Sequence, residues 1–196
     1  MSKVAITGNA SGSGTFTIAA PNSNTDRTLT LPDSAGTIAT TNGITMIDEF
    51  VLPADLVGNA DPITTWIRNN LILAVQLGPQ MSLSSGQFTF PQTGIYRIHA
   101  RAVFDENGSG SDNSVQFNIM GTTDNFATAD QIIGYGNVFL SSSNARANPT
   151  VDALVNITDT TNQKVQVQLA SQLSTNQIFG GNGQTRIQFM RLGDSA

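Results

Sequence analysis

One histidine, one loop rich in oxygen ligands and fourteen scattered carboxylates are what this sequence offers to chemistry. His99 lies in Ile95-Tyr96-Arg97-Ile98-His99-Ala100-Arg101, which reads as a strand. It therefore shares a face with Arg97 and Arg101 and stands opposite Ile98 and Ala100. Two flanking cations disfavour the imidazolium, and the same strand supplies no carboxylate to orient the ring. A surface or interface histidine is expected, not a general base. The loop Asp105-Glu106-Asn107-Gly108-Ser109-Gly110-Ser111-Asp112 sets oxygen side chains at alternate positions and a glycine at the sixth. That is part of the spacing of a calcium-binding loop, but Gln116 stands where the bidentate glutamate belongs. A solvated turn is the first reading, and a weak cation site at Asp105, Asn107, Ser109 and Asp112 the second. Cysteine is absent, which removes disulfides, thiolate metal sites and thiol nucleophiles. Without a nucleophile elbow, phosphate loop, dinucleotide fingerprint or paired zinc histidines, neither enzymatic activity nor a cofactor is expected.

The charge balance narrows the partners. Nine Lys and Arg residues stand singly in a chain of net charge −5 and pI about 4.5, whereas a phosphate-binding surface needs them clustered. Nucleic acid is excluded as an expected partner. No apolar run approaches the roughly 18 residues that span a bilayer, so no membrane is expected either. The opening Met1-Ser2-Lys3-Val4-Ala5-Ile6 lacks the apolar centre of a secretory signal, and synthesis in a cytoplasm without export by the general pathway is expected. Charged residues make up 12% of the chain, about half the usual share. Ser, Thr, Asn, Gln and 18 glycines take their place, a surface chemistry typical of extracellular β-rich shells and fibres.

Short strands must position these groups. Period-2 alternation over 81–90, 94–104, 114–120, 132–140, 151–157, 164–170 and 185–191 is broken by turn clusters, which predicts an all-β sandwich or jelly roll over residues 43–196. Alternate placing assigns Phe88, Phe90, Tyr96, Phe104, Phe117 and Phe189 to its core, with Phe139 among them. Asp61 before Pro62 predicts the cap of a short helix over 62–70, and 71–77 reads as a buried strand. Any ligand surface is expected on the polar loops 121–130, 141–148 and 174–182.

Residues 1–42 are different in style. Phe16 and Ile18, Leu29 and Leu31, and Ile38 alternate with threonine or other small residues, the pattern of strands with one buried face. Leu29 follows Phe16 by thirteen residues (29 − 16), and a proline follows each pair, Pro21 and Pro32. So few apolar side chains cannot fold alone, so this extended β arm is expected to anchor through Phe16, Ile18, Leu29, Leu31 and Ile38 to sister copies or to a larger body.

Two resemblances follow from these residues. Gly86-Gln87-Phe88-Thr89-Phe90-Pro91-Gln92-Thr93-Gly94-Ile95-Tyr96 resembles the G-x-F-x-x-P-x-x-G-x-Y motif of the tumour necrosis factor and complement-head jelly rolls. Residues 156–169 look like the paired late strands of that superfamily and 185–192 like its closing strand. Asp159-Thr160-Thr161-Asn162-Gln163 replaces its usual glycine-aspartate turn. The resemblance implies a homotrimer. The arm, from Ser13 to Pro21 and from Arg27 to Thr37, is similar to segments of virion and fibre proteins of tailed bacteriophages, marine and cyanobacterial ones especially. That resemblance implies a virion protein assembled in the host cytoplasm: a trimeric capsid decoration (cement) protein or short head fibre. Its arm would bind the major capsid protein or another virion protein. The alternative is a receptor-binding tail-fibre tip that recognises a host surface glycan or protein.

Overall fold

The computed structural model describes residues 44–196 except 107–111, 129, 142–144 and 171–174, together with 11–15, 17, 22, 24–26 and 28 of the N-terminal segment. The chain divides into two units, Met1–Ile38 and Ala39–Ala196. The anchoring positions Phe16, Ile18, Leu29, Leu31 and Ile38 lie outside the described residues, as do Asn107 and Ser109 of the loop.

The second unit is built from fourteen strands among the described residues. They are β1 (Met46–Val51), β2 (Leu56–Val57), β3 (Ile67–Arg68), β4 (Ser82–Ser84), β5 (Gln87–Thr89), β6 (Gly94–Arg101) and β7 (Phe104–Asp105). There follow β8 (Asp112–Thr122), β9 (Gln131–Leu140), β10 (Arg146–Ala147), β11 (Thr150–Ile157), β12 (Lys164–Ala170), β13 (Gln177–Ile178) and β14 (Arg186–Gly193). One five-stranded sheet runs β11-β6-β14-β1-β3 and another β4-β5-β12-β8-β9, with a four-stranded sheet β10-β7-β13-β2 beside them. Among the described residues every strand pairing is antiparallel, from β11 on β6 to β8 on β9.

Alternation decides which face is buried. In β6 Gly94, Tyr96, Ile98 and Ala100 are buried while Ile95, Arg97, His99 and Arg101 face outward. Phe88, Phe90, Tyr96, Phe104, Phe117 and Phe189 are all buried. Phe88 contacts Phe50 and Phe189 at centroid distances of 5.0 Å each, and Phe90 meets Tyr96 at 4.7 Å. Tilted and edge-to-face rings of this kind add about 0.5–1.5 kcal/mol per pair beyond area burial. Asp48 shares the buried face of β1 with Met46 and Phe50. Its carboxylate accepts from Arg68 Nε (3.1 Å) and from the Met81 backbone N–H (2.9 Å).

Three expectations are corrected. Residues 62–70 form no helix, because their backbone bonds sideways. The Ile63 N–H donates to Val167 O and the Asn69 N–H to Glu49 O. The Asp61 carboxylate is taken up by Gln166 Nε2 and Gln168 Nε2 instead of capping. Residues 71–77 are not a buried strand but an exposed loop, with Ile72 93% and Leu73 92% exposed. Only Leu77 pairs, with Ile47. Segment 81–90 is broken into β4 and β5 by a turn in which Ser85 and Gly86 both take positive φ (51° and 82°), as two-residue hairpins require. A Cβ on Gly86 would lie 2.6 Å from Ile63 O.

Candidate functional site

The outward face of the β11-β6-β14-β1-β3 sheet carries the polar groups that sequence singled out. Arg97 and His99 stand two apart on β6, and Asp152 of β11 is directly across from His99. The Asp152 carboxylate takes Arg97 Nη2 at 2.7 Å and His99 Nδ1 at 3.1 Å. Burial opposes ionisation of Asp152, but the hydrogen bonds from Arg97 and then His99 outweigh it and hold its pKa below the ordinary aspartate range. His99 therefore does have a carboxylate partner, on the neighbouring strand rather than its own. Among the described residues His99 is bonded to the Asp152 carboxylate and to no hydroxyl. Further along the face, the Glu49 carboxylate lies 3.8 Å from Arg186 Nη1 and accepts from Asn69 Nδ2.

Asp105 faces inward. It is 6% exposed, and its carboxylate holds Arg146 Nε at 2.7 Å, with that guanidinium 4.9 Å over the Phe179 ring. Asp112 opens β8. Among the described residues no group of three His, Cys, Asp or Glu side chains is placed to hold a metal.

In the polar loop 121–130 the described residues bond to one another. The Asp124 carboxylate accepts from Thr122 Oγ1 at 2.6 Å, from the Thr128 N–H at 3.0 Å and from Thr128 Oγ1. The Thr122 hydroxyl, then that of Thr128, lowers its pKa from 3.8 to about 2. The folded value lies below the unfolded one, so the linked stability is present above about 3.8 and is lost as pH falls through about 2. NMR titration of the Asp124 carboxyl carbon should give a midpoint near 2. A midpoint at the ordinary aspartate value would mean that the loop bonds do not form in solution.

Large apolar side chains left in water mark the two edges of the sandwich. At the β3 edge stand Ile67, Leu71, Ile72, Leu73, Val75 and Leu77. At the opposite edge, β9 exposes Ile132, Tyr135 and Phe139, and β11 exposes Leu154 at 72%. Phe139 was expected in the core. It points outward because Gly134, Gly136 and Leu140 hold the buried positions of β9, with Val138 half-buried beside them. The glycines are needed there, since a Cβ on Gly134 or Gly136 would come within 2.7 or 2.6 Å of the Val151 methyls. Beyond this close contact a cleft of about 500 Å³ opens between β9 and β11, lined by Gly121, Ile133, Val155, Ile157 and Val165 with Gln131 and Lys164 also bordering it. Hydropathy singles out the 71–77 run but assigns it to the interior, not to an exposed edge. Nothing in the sequence indicated the cleft.

No protein-family model matches this chain, and no curated protein matches it in sequence. Solved structures do match in fold. The structure of Eiger TNF from S. frugiperda superposes with a TM-score of 0.60 at 10% identity, over 79% of this chain and 96% of that one. Murine APRIL at pH 5.0 superposes with a TM-score of 0.54 at 10% identity, over 75% and 98%. The second unit is a jelly-roll sandwich of the tumour necrosis factor type.

Proposed function

We propose that this protein is a self-assembling structural component, a homotrimer whose copies join head to tail through the two exposed apolar edges. One observation carries the reading: aliphatic and aromatic side chains are left in water at two edges of the sandwich, around β3 on one side and on β9 and β11 on the other. Exposed apolar surface gathered at an edge marks an interaction site. Two different patches on one molecule make a heterologous contact, which closes into a ring or runs on as a filament. The jelly-roll fold and the threefold symmetry implied by its motif favour the ring. The arm's similarity to tailed-phage virion segments supports a place on a virion, as a capsid decoration protein or short head fibre attached through residues 1–42.

Light scattering on the full chain at micromolar concentration tests the reading, with a mass of three chains as the expected result. Leu154→Asp, at an exposed position, should change chain stability by no more than about 0.5 kcal/mol yet convert the trimer to monomer. A wild-type monomer overturns the proposal. For the virion role, deletion of residues 1–42 should abolish incorporation into particles while trimers still form. Glycan binding by the trimer with few copies per particle would move the assignment to a receptor-binding tip.

A further inference from the structure

Alternate residues of a strand share a face, so Tyr135, Asn137 and Phe139 of β9 stand together on the side of the β4-β5-β12-β8-β9 sheet that looks away from the core. Asn118 and Gln116 of β8 lie directly across from Tyr135 and Asn137, and Gln168 of β12 continues the first row. Tyr135 is 56% and Phe139 58% exposed. We propose, independently of the assembly reading, that this row of rings and amides binds a neutral oligosaccharide. Leu154, the position that reading relies on, pairs with Arg97 on the outward face of the other sheet, so the two surfaces turn away from each other.

Charge selects the class of ligand. The outward face of the other sheet carries Glu49, Arg97, His99, Asp152 and Arg186. Residues 82–89, 114–122, 132–139 and 164–170 of this one hold a single charged side chain, Lys164. A charged polymer finds little complement there. A protein partner would meet a contiguous apolar patch, whereas Asn137 separates the two rings.

The amides are oriented in advance. Asn118 is fully buried, and its Nδ2 donates to Gln168 Oε1 (2.9 Å) and Gln116 Oε1 (3.2 Å). Gln168 Nε2 donates in turn to the Asp61 carboxylate (2.7 Å), and Asn137 Nδ2 to the Tyr135 hydroxyl oxygen (2.8 Å). Side chains held this way lose little freedom when a ligand arrives. Hydrogen-bonding capacity is nevertheless left over at the exposed end. Among the described residues the Tyr135 O–H has no acceptor and Asn137 Oδ1 no donor, and the Asn118 Oδ1 across from Tyr135 also lacks one. A donor beside an acceptor matches adjacent sugar hydroxyls, each of which both gives and takes a hydrogen bond. Tyr135 and Phe139 stand about 13 Å apart along the strand and offer aromatic surface to the C–H faces of sugar rings. Only a ligand several rings long touches both.

Titration of the full chain with cellohexaose, mannohexaose and chitohexaose, followed by NMR, tests the site. The chain has two tyrosines and Tyr96 is buried, so the Tyr135 ring signals report directly. At least one of these hexasaccharides should shift them with a Kd of about 1 mM or below and leave those of Tyr96 in place. Tyr135→Ala and Asn137→Ala should each weaken that binding about fivefold or more with unchanged circular dichroism. Light scattering should give Tyr135→Ala the same mass as wild type. No shift with any of the sugars at about 10 mM, or binding that neither substitution weakens, overturns the site. So does a Tyr135→Ala variant of lower mass than wild type, which would assign the ring to a contact between copies. A wild-type monomer that binds sugar through Tyr135 removes the trimer and leaves this site standing.

Discussion

Phe88→Ala should lower the unfolding free energy of the jelly roll by about 3–5 kcal/mol. Phe88 is fully buried at the centre of the aromatic cluster, in contact with Phe50, Phe189 and Trp66 at 5.0, 5.0 and 6.3 Å. These neighbours come from β1, from β14 and from the segment before β3. Truncation would therefore open a void that no single element can close by shifting. Part of the loss is the transfer of apolar area, part the cavity, and part the ring-edge attraction. Urea unfolding of variant and wild type, compared at equal m-values, would read the difference. A loss below about 1 kcal/mol, within the range of ordinary surface changes, would mean the core re-forms around the gap.

Asp48→Ala should cost about 3 kcal/mol for a different reason. The lost carboxylate leaves the Met81 N–H without its acceptor in a residue 1% exposed. It also leaves the Arg68 guanidinium 4.9 Å over the Phe50 ring without its counter-charge. Arg68 is 34% exposed, so water can relieve part of its penalty, and the buried N–H carries much of the remainder. Asp48→Leu combined with Arg68→Leu should recover part of the loss, because apolar side chains replace an ion pair with little desolvation debt. A double variant no more stable than Asp48→Ala would mean that relieving the unpaired guanidinium recovers nothing. The same denaturation experiment decides.

The contrast between β6 and β9 explains how much of this fold was legible. In β6 the apolar and charged positions alternate without conflict, Tyr96, Ile98 and Ala100 against Arg97, His99 and Arg101, so the strand and its buried face follow from period alone. In β9 both phases are apolar, with Gly134, Gly136 and Val138 in one and Tyr135 and Phe139 in the other. Size argues for burying the aromatics. The opposite happens because Val151 of β11 approaches so closely that only glycine fits, a constraint that sequence spacing does not contain.

The same limit applied at His99, whose carboxylate partner is 53 residues away on another strand. It applied again at 71–77, where an apolar run that hydropathy assigns to the interior emerges at the rim. The candidate surface was therefore the least readable part of the molecule. Interior positions are chosen by period, whereas an edge is defined by which strands pair and which are left over.

Gly134 and Gly136 also set a dimension. Where they meet Val151 the sandwich is pinched to the thickness of a backbone against a methyl group. The mouth lined by Ile133 and Ile157 lies beyond that pinch. An added methyl at position 134 would act as a wedge, prying the sheets apart from within and widening the mouth without altering any residue that lines it. The aperture offered to a partner is thus gauged by two absent side chains at the seam.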